Sequence, residues 1–395
     1  MIEISAKLIG GPVYLPGDSI GCCITFLNKT PASFQNDDRK NNFEVLAWSS
    51  AQIHCSCVTN DKRITDKNFH GSAELSVNSE TSFFPHKEDI GHIVFSTKPK
   101  ILFCEMKLLS GESKSFLYTE TLQNEIPPSY RGQLVKYSYK ITIGTQRVNN
   151  AIKLLKIPLR ILVIDEIFSI FLYDEVILGF PEVSTCEDSI DLSPSNPFLD
   201  ICEKDKELEP TFQVLQNITT RRNANFYNIT NSKGKVARFC LFKSAYKLGE
   251  DIIGTFDFEM STVPCVQFVV SLQCEEIISE KYRLPGKRDR AVTPYSNCSE
   301  FCLNMKQCFL NLPIPLYITP AFSTNIVSLR WKLHFEFVTN IKSTELLRNT
   351  SKNDRIWHAP KSMEIETMVW DLPIQIYPTT TISDLHTQTK SYLVI

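Results

Sequence analysis

The pattern that decides the fold is VKYSYKITI at residues 135–143, where every odd position is apolar and every even position is polar. The same alternation returns in LRWKLHFEF at residues 329–337 and, over shorter lengths, at 155–161 and 370–376. Strict alternation is typical of a strand with one face on a core and the other in water. Since no long, capped stretch shows the helical period, the pattern predicts an all-β chain built from antiparallel sandwiches.

An internal repeat divides the chain into two halves. YLPGDSI at residues 14–20 matches YKLGEDI at 246–252 with an offset of 232, and LKIPLRI at 155–161 matches WDLPIQI at 370–376 with an offset of 215. A third match, at an offset of 192, pairs Pro128, Tyr130, Val135, Tyr139, Lys140 and Ile141 with Pro320, Phe322, Val327, Trp331, Lys332 and Leu333. Three matches in the same order predict a duplicated sandwich domain.

The glycines and prolines that recur in the repeat have predictable structural roles. Gly17 and Gly249 each precede an acidic residue, and glycine adopts the positive φ of such a turn at little cost. Pro158 and Pro373 fall inside strands, where proline cannot donate to the ladder. We therefore expect both prolines at a sheet edge or a bulge.

The composition changes sharply between the two halves. Residues 182–210 carry nine acidic residues and two lysines, a net charge of −7, whereas the whole chain of 395 residues has a net charge of −2. Such a segment cannot bury enough apolar surface to offset its ordering entropy. We therefore predict an N-terminal β-sandwich at 1–165, an acidic, partly disordered linker or long loop at 166–224, a second such sandwich at 225–380 and a tail at 381–395.

Several classes of protein are disfavoured by composition and motif. The small net charge argues against a general nucleic-acid binder. Glycine-rich phosphate loops, the nucleophile elbow and the zinc-protease motif are absent from the sequence, so we expect neither covalent catalysis nor a cofactor. The apolar stretch at 157–180 is interrupted by charges and does not fit a spanning helix. Thirteen cysteines without a recognisable leader in residues 1–10 predict a reducing cytosolic compartment and free thiols.

Two groups of cysteines raise the question of a metal site. They comprise His54, Cys55 and Cys57, and Cys298, Cys302 and Cys308. Zinc accepts such ligands, but the spacings are not the paired Cys-x2-Cys of zinc ribbons. Cys55 and Cys57 also fall on one face of a predicted strand, as small apolar core residues do. We favour plain core and loop thiols, with a zinc-dependent enzyme as the alternative that elemental analysis would test.

Residues 127–130, PPSY, fit the Pro-Pro-x-Tyr pattern that WW domains bind in an extended form. Tyr130 pairs in the repeat with Phe322, a position typical of a core anchor at the start of a strand. A buried motif is not accessible to such a domain. We favour the structural interpretation over the WW ligand.

A basic loop is the candidate binding site of the sequence. It comprises Lys281, Arg283, Lys287, Arg288 and Arg290. Pro285 and Gly286 place these residues on a hairpin loop or a longer insertion. One interpretation is a solvated surface loop, and the other is attraction to anionic lipid or to an acidic face of a partner.

Five strings carry a resemblance to a known family. They are STKPKILFCEMKLLSGESKSF (96–116), PPSYRGQLVKYSYKITIGTQRVN (127–149), GKVARFCLFKSAYKLGEDIIGTFDF (234–258), SLRWKLHFEFVT (328–339) and WDLPIQI (370–376). The two tandem sandwiches, with their Leu-Pro-Gly-Asp turn and paired strands, resemble the arrestin-like fold. The five strings resemble, more narrowly, the Rgp family. Rgp proteins are the arrestin-like second subunit of the Ric–Rgp guanine-nucleotide exchange complex for the Golgi Rab-six GTPase.

The resemblance implies a non-covalent regulatory subunit of a heterodimeric exchange factor in endosome-to-Golgi retrograde transport. It implies three contacts, namely the large Ric-type partner subunit, the Golgi Rab GTPase in its GDP-bound or nucleotide-free form, and peripheral contact with the Golgi membrane from the cytosol. No catalytic residue of the family can be placed on this chain by motif. The alternative function is an arrestin-like cargo-sorting adaptor that binds membrane-protein tails independently of a GTPase.

Overall fold

The structure, a computed structural model, describes residues 1–11, 13–29, 43–65, 91–163, 215–220, 224–341, 362–379 and 390–394. Strands dominate these ranges, and they form two β-sandwiches in tandem, which confirms the predicted fold class. Most of the predicted acidic linker lies outside the described residues.

The first sandwich contains ten strands from the first half of the chain within the described ranges. They are β1 (Ile2–Ile9), β2 (Val13–Tyr14), β3 (Ser19–Asn28), β4 (Phe43–Thr59), β5 (His92–Ser96), β6 (Lys100–Leu109), β7 (Ser113–Thr121), β8 (Tyr130–Arg131), β9 (Val135–Arg147) and β10 (Lys153–Ile161). One sheet contains β1, β3 and β7, and the other has the order β2-β10-β9-β4-β5, with β6 paired to β4 and β8 to β9.

The second sandwich repeats this plan. Its described strands are β11 (Asn225–Asn231), β12 (Gly234–Leu241), β13 (Ala245–Lys247), β14 (Asp251–Asp257), β15 (Cys265–Ile278), β16 (Arg290–Phe301), β17 (Gln307–Pro313), β18 (Phe322–Ser323), β19 (Val327–Asn340) and β20 (Ile365–Tyr377). One sheet has the order β11-β12-β14-β17 and the other β13-β20-β19-β15-β16, with β18 paired to β19. The matching strand orders support the duplication that the sequence repeat predicts.

The alternating residues build the two cores as the pattern predicts. Every odd position from Val135 to Ile143 is buried, and the inward residues of β19 include Trp331, Phe335 and Phe337. Removing such apolar area from water is the main stabilising contribution to a sandwich. Tyr139 adds a hydrogen bond, since its hydroxyl donates to the Pro127 carbonyl at 2.6 Å.

The two repeated glycine turns have the same geometry. Gly17 has φ of +86° and Gly249 has φ of +83°, which confirms the predicted positive φ. In both turns the acidic residue that follows accepts a hydrogen bond from the backbone three residues earlier. Asp18 accepts from the Leu15 N–H at 2.6 Å, and Glu250 accepts from the Lys247 N–H at 2.8 Å. The acid therefore closes the turn that the glycine permits.

Both strand prolines lie where their strand has a partner on one side. Pro158 pairs with Lys140 of β9, and Pro373 pairs with Lys332 of β19. The opposite sides of β10 and β20 gain short parallel partners, β2 and β13, two residues further along. The missing N–H of each proline therefore leaves the ladder intact, as expected at a sheet edge.

A strand from the C-terminal end completes the first sandwich. Strand β21 (Lys390–Val394) pairs antiparallel with β1, in register from Glu3–Val394 to Lys7–Lys390. In the sheet order β21-β1-β3-β7 it takes the place that β11 takes beside β12 in the second sandwich. This strand lies in the range predicted as a tail. The sequence does not reveal it, because a five-residue strand whose partner is near residue 1 leaves no local signal.

A short helix at 215–220 lies within the range predicted as linker. Leu215 is fully buried and packs against Tyr377 at the end of β20, with Leu15 of the first sandwich at the margin of the same cluster. The chain is therefore anchored to the folded body just before the second sandwich begins.

Candidate functional site

The predicted basic loop connects β15 and β16, so the hairpin placement is confirmed. A short 3₁₀ turn at Glu280–Tyr282 opens the loop, and Gly286, with φ of +74°, allows its tip to reverse. The five basic residues, Lys281, Arg283, Lys287, Arg288 and Arg290, are all exposed. The structure therefore presents the whole set to solvent.

The basic residues differ in their partners. Arg283 pairs with Asp289 at 3.1 Å, and Arg290 pairs with Glu275 at 3.3 Å. Such exposed pairs contribute about 0–1 kcal/mol each. Lys287 and Arg288, at the tip, form no ion pair with any residue that the structure describes. The tip therefore carries the positive charge available to a ligand.

A loop of the first sandwich extends this basic surface. The Thr65 N–H donates to the Tyr282 carbonyl at 3.0 Å, and the Arg63 guanidinium donates to the Arg290 carbonyl at 3.1 Å. Arg63 and its neighbour Lys62 thus join the basic loop in one surface, which we call the basic rim. Its members are Lys62, Arg63, Lys281, Arg283, Lys287, Arg288 and Arg290. The sequence gives no signal for this juxtaposition, since the two loops are far apart in the chain.

A buried carboxylate joins the two sandwiches beneath the rim. Glu276, on an inward position of β15, is fully buried. Its Oε1 accepts the Gln133 N–H at 2.7 Å, and its Oε2 accepts the Leu134 N–H at 2.8 Å. Both donors belong to the turn between β8 and β9 of the first sandwich. An acid at a core position of an alternating strand is the sequence signal that could have found this contact.

Aromatic side chains that match in the repeat meet at the same junction. The rings of Tyr130 and Phe322 are 5.1 Å apart and nearly perpendicular. Tyr137 contacts the same Phe322, and its hydroxyl lies 3.1 Å from the Thr324 hydroxyl. Burial is the main cause that raises the pKa of Tyr130 above its ordinary value. Tyr130 is therefore a core anchor, which confirms the structural interpretation of the Pro-Pro-x-Tyr motif.

A third contact closes the other side of the junction. The Arg160 guanidinium donates to the carbonyls of Leu316 at 3.3 Å and Ile318 at 3.1 Å. The Thr319 hydroxyl donates to the Ser129 carbonyl at 3.2 Å. Carboxylate, aromatic and guanidinium contacts thus hold the two sandwiches in one arrangement.

The cysteine groups are distributed as the strand pattern predicts. Cys55 and Cys57 are fully buried on the inward face of β4, and burial raises the pKa of the Cys55 thiol. Cys302 is buried, whereas Cys298 and Cys308 are partly exposed. Among the residues that the structure describes, no three His, Cys, Asp or Glu side chains converge as metal ligands do. No described helix is long and apolar enough to cross a membrane.

Comparison with known proteins covers both sandwiches. The Rgp1 family model matches residues 29–167 and 175–340. The chain is 40% identical over 390 residues to the human protein named RAB6A-GEF complex partner protein 2, covering 96% of this chain and 95% of the relative. The bovine protein of the same name is 39% identical over 403 residues, covering 99% and 97% respectively. This chain is therefore a member of the Rgp1 family.

Proposed function

We propose that this chain is the non-catalytic subunit of a heterodimeric guanine-nucleotide exchange factor that activates a Rab-six GTPase in endosome-to-Golgi retrograde transport. Its partners are a large Ric-type subunit and the GTPase in its GDP-bound or nucleotide-free form. It works from the cytosol and at the Golgi membrane as a peripheral protein.

One observation carries the proposal. The similarity to relatives named as partners in a RAB6A exchange complex extends over nearly the full length of both proteins. It therefore includes both sandwiches and the junction between them, and is not confined to a single strand motif. Proteins this similar over both domains commonly share their assembly as well as their fold.

The chemistry of the proposed role does not require catalytic groups. An exchange factor needs no acid, base or nucleophile, because it acts by binding the nucleotide-free GTPase more tightly than the loaded form. A subunit of such a complex has to present surfaces in a fixed arrangement. The buried Glu276 contact and the Tyr130–Phe322 pair support this role, since they hold the two sandwiches together.

The basic rim is the part of this chain that we assign to the membrane or to an acidic partner face. Its tip residues Lys287 and Arg288 are exposed and have no ion-pair partner among the described residues. Each basic residue near an anionic membrane surface contributes about 1 kcal/mol of attraction. The rim could therefore orient the complex on the Golgi membrane, where its GTPase substrate resides.

The test is release of a fluorescent guanine nucleotide from the Rab-six GTPase. It is measured with this chain alone, with the large partner alone and with both together. We expect acceleration with the pair, and none with this chain alone. A Rab GTPase from another compartment serves as the control for specificity.

Affinity purification of the full chain from cells supplies the second measurement. A stoichiometric large partner is the expected result. If the pair accelerates no nucleotide release and the chain instead captures membrane-protein tails without a GTPase, the exchange function is wrong and the cargo-sorting adaptor is correct.

A further inference from the structure

Large apolar side chains cluster at the end of the second sandwich that lies opposite the junction. They belong to strand ends and to the turns beside them, and all are exposed: Met260 (71%), Phe301 (74%), Met305 (55%), Ile341 (43%) and Ile365 (55%). We call this group the distal patch. Soluble domains seldom expose such side chains together unless the surface has a partner.

The two isoleucines of the patch lie side by side. Ile365 starts β20 and pairs with Asn340, the residue before Ile341. The Asn340 N–H also donates to the Pro264 carbonyl at 2.9 Å, just before β15 begins. The ends of β19 and β20 therefore adjoin the loop of residues 258–264, which carries a methionine of the patch.

The other three members meet across two turns. The Phe258 N–H donates to the Lys306 carbonyl at 2.8 Å, so the turn that carries Met260 contacts the turn that carries Met305. The second turn follows Phe301 directly and is closed by the Met305 N–H, which donates to a carbonyl three residues earlier at 3.0 Å. In the sheet, β16 is three positions from β20, which corresponds to about 14 Å. All five side chains therefore belong to one surface.

The patch rests on a buried base. Cys302 and Phe258, beneath the two turns, are both buried. The Cys302 N–H donates to the Val266 carbonyl at 2.9 Å, which ties the end of β16 to β15. Because this backbone is already ordered, a partner that binds the patch loses little entropy in fixing it.

The size of the patch is that of an interaction site. An aromatic side chain buries about 150–250 Å², so Phe301 at 74% exposure offers roughly 110–190 Å². With two methionines and two isoleucines beside it, the exposed apolar area reaches a few hundred Å². Aromatic residues and methionine are also enriched where proteins meet, and methionine adapts its shape to the surface that it contacts.

The charges beside the patch indicate which kind of partner it fits. They carry both signs and include more acids than bases: Lys233, Lys235 and Lys306, and Glu259, Glu300, Glu364 and Glu366. Lys306 pairs with Glu259 at 3.4 Å, and Lys233 pairs with Glu366 at 2.7 Å. Anionic lipid selects surfaces rich in lysine and arginine, so this end of the sandwich is not suited to it. An apolar centre with mixed charges around it is typical of a contact between proteins.

The distal patch and the basic rim lie at opposite ends of β15, which has 14 residues. At about 3.3 Å per residue, roughly 45 Å separates them. A protein bound to the patch therefore leaves the rim accessible to a membrane.

We propose that the distal patch is the docking surface for the large subunit of the exchange complex, which covers it with an apolar face of its own. This inference rests on the proposed function, because the heterodimer is taken from there. Phe301 and Met260 are the most exposed members and the expected anchors, since a few side chains supply most of the binding energy of an interface. The surrounding lysines and glutamates form the polar rim of the contact.

The test is a binding titration of the full chain with the purified large subunit. The variant is Met260→Ser with Phe301→Ser, and the matched control is Ile101→Ser with Leu117→Ser, which removes exposed apolar side chains from the first sandwich. We expect the patch variant to bind about tenfold or more weakly than wild type and the control to bind within about twofold. Both should keep the wild-type melting temperature, because all four side chains lie outside the core. Should the double variant melt early, Met305→Ser alone supplies the comparison.

The outcomes separate this inference from the proposed function. If the wild-type chain binds the large subunit and the patch variant binds it equally well, the docking surface is wrong and the heterodimer stands. If the wild-type chain does not bind the large subunit, both are wrong. Raised salt should leave the wild-type affinity unchanged, because salt screens charges and not apolar contacts; loss of binding would overturn the inference in favour of the basic rim.

Two other occupants of the patch are measured with the same variants and without the large subunit. A wild-type dimer in light scattering that Met260→Ser with Phe301→Ser disperses would overturn the inference in favour of a second copy of this chain. Binding of wild type to phosphatidylcholine vesicles that this variant alone loses would overturn it in favour of a lipid surface. A monomer that does not bind these vesicles is the expected result.

Discussion

Replacing Glu276 tests whether one buried carboxylate holds the two sandwiches together. Its two oxygens accept the N–H groups of Gln133 and Leu134 at 2.7 and 2.8 Å. Glu276→Ala leaves these donors without an acceptor, and the Leu134 N–H is buried. The neighbouring Glu275 lies on the opposite face of β15 and pairs with the exposed Arg290, so Glu275→Ala is the matched control.

The expected magnitude follows from the burial of the donors. Hydrogen bonds to a charged group contribute about 1.5–3 kcal/mol each, and a buried donor left unpaired costs about 1–3 kcal/mol. Removing the carboxylate also removes the cost of burying it in the folded state, and this offsets part of the loss. We therefore expect Glu276→Ala to lower the free energy of unfolding by about 2–4 kcal/mol. Glu275→Ala, which removes an exposed ion pair, should lower it by about 0–1 kcal/mol.

Hydrogen exchange gives a readout that a general loss of stability would not reproduce. A chain with two sandwiches need not unfold in one step, so the stability of the junction is best measured locally. In Glu276→Ala, the amides of Gln133 and Leu134 should exchange about 30- to 700-fold faster while the core of β19 stays protected, since each 1.4 kcal/mol corresponds to about tenfold. If these amides exchange at the wild-type rate, or no faster than in Glu275→Ala, the carboxylate does not hold the junction.

Three further changes test other parts of the structure. Truncation of residues 390–395 should lower the free energy of unfolding by about 2–4 kcal/mol, because β1 loses one of its two antiparallel partners and keeps β3. Calorimetry on the full and truncated chains measures this loss. Gly91→Ala should lower the melting temperature more than Gly286→Ala. Both positions have positive φ, but a Cβ at 91 would lie 2.4 Å from the backbone oxygen of Cys57, whereas one at 286 meets open space. Equal losses would contradict the clash. Lys287→Gln with Arg288→Gln should weaken binding to phosphatidylserine vesicles by about 2 kcal/mol without altering the melting temperature. The measurement is sedimentation with vesicles. Unchanged sedimentation would mean that the basic rim does not contribute to membrane binding.

The regular parts of the fold could be predicted because their signals are local. Alternation in 135–143 and 329–337 specifies which residues face each core, and β9 and β19 bear this out. Gly17 and Gly249 could be assigned to turns because positive φ favours glycine wherever the turn lies. The repeat then related the two halves without any knowledge of their contacts.

The junction could not be predicted because it depends on contacts between residues distant in the chain. Arg160 has the pattern of an ordinary outward residue of an alternating strand, yet its guanidinium donates to carbonyls of Leu316 and Ile318, more than 150 residues away in the sequence. Lys62 joins the basic rim because its loop contacts the β15–β16 hairpin, which no periodicity encodes. Strand β21 is the extreme case, since its partner is β1, at the opposite end of the sequence.

The two sandwiches meet through matching positions of the repeat, and a buried carboxylate of the second sandwich fixes how they meet. Tyr130 and Phe322 match in the repeat and pack on each other, so the same surface of each sandwich forms its half of the contact. The buried carboxylate, however, belongs to one half. Glu276 pairs with Leu329, and Cys57 pairs with Tyr137, which lies 192 residues before Leu329 as the repeat requires. Cys57 is therefore the counterpart of Glu276 in the first sandwich. A single buried carboxylate that accepts two N–H bonds from the first sandwich therefore fixes one arrangement of the two halves.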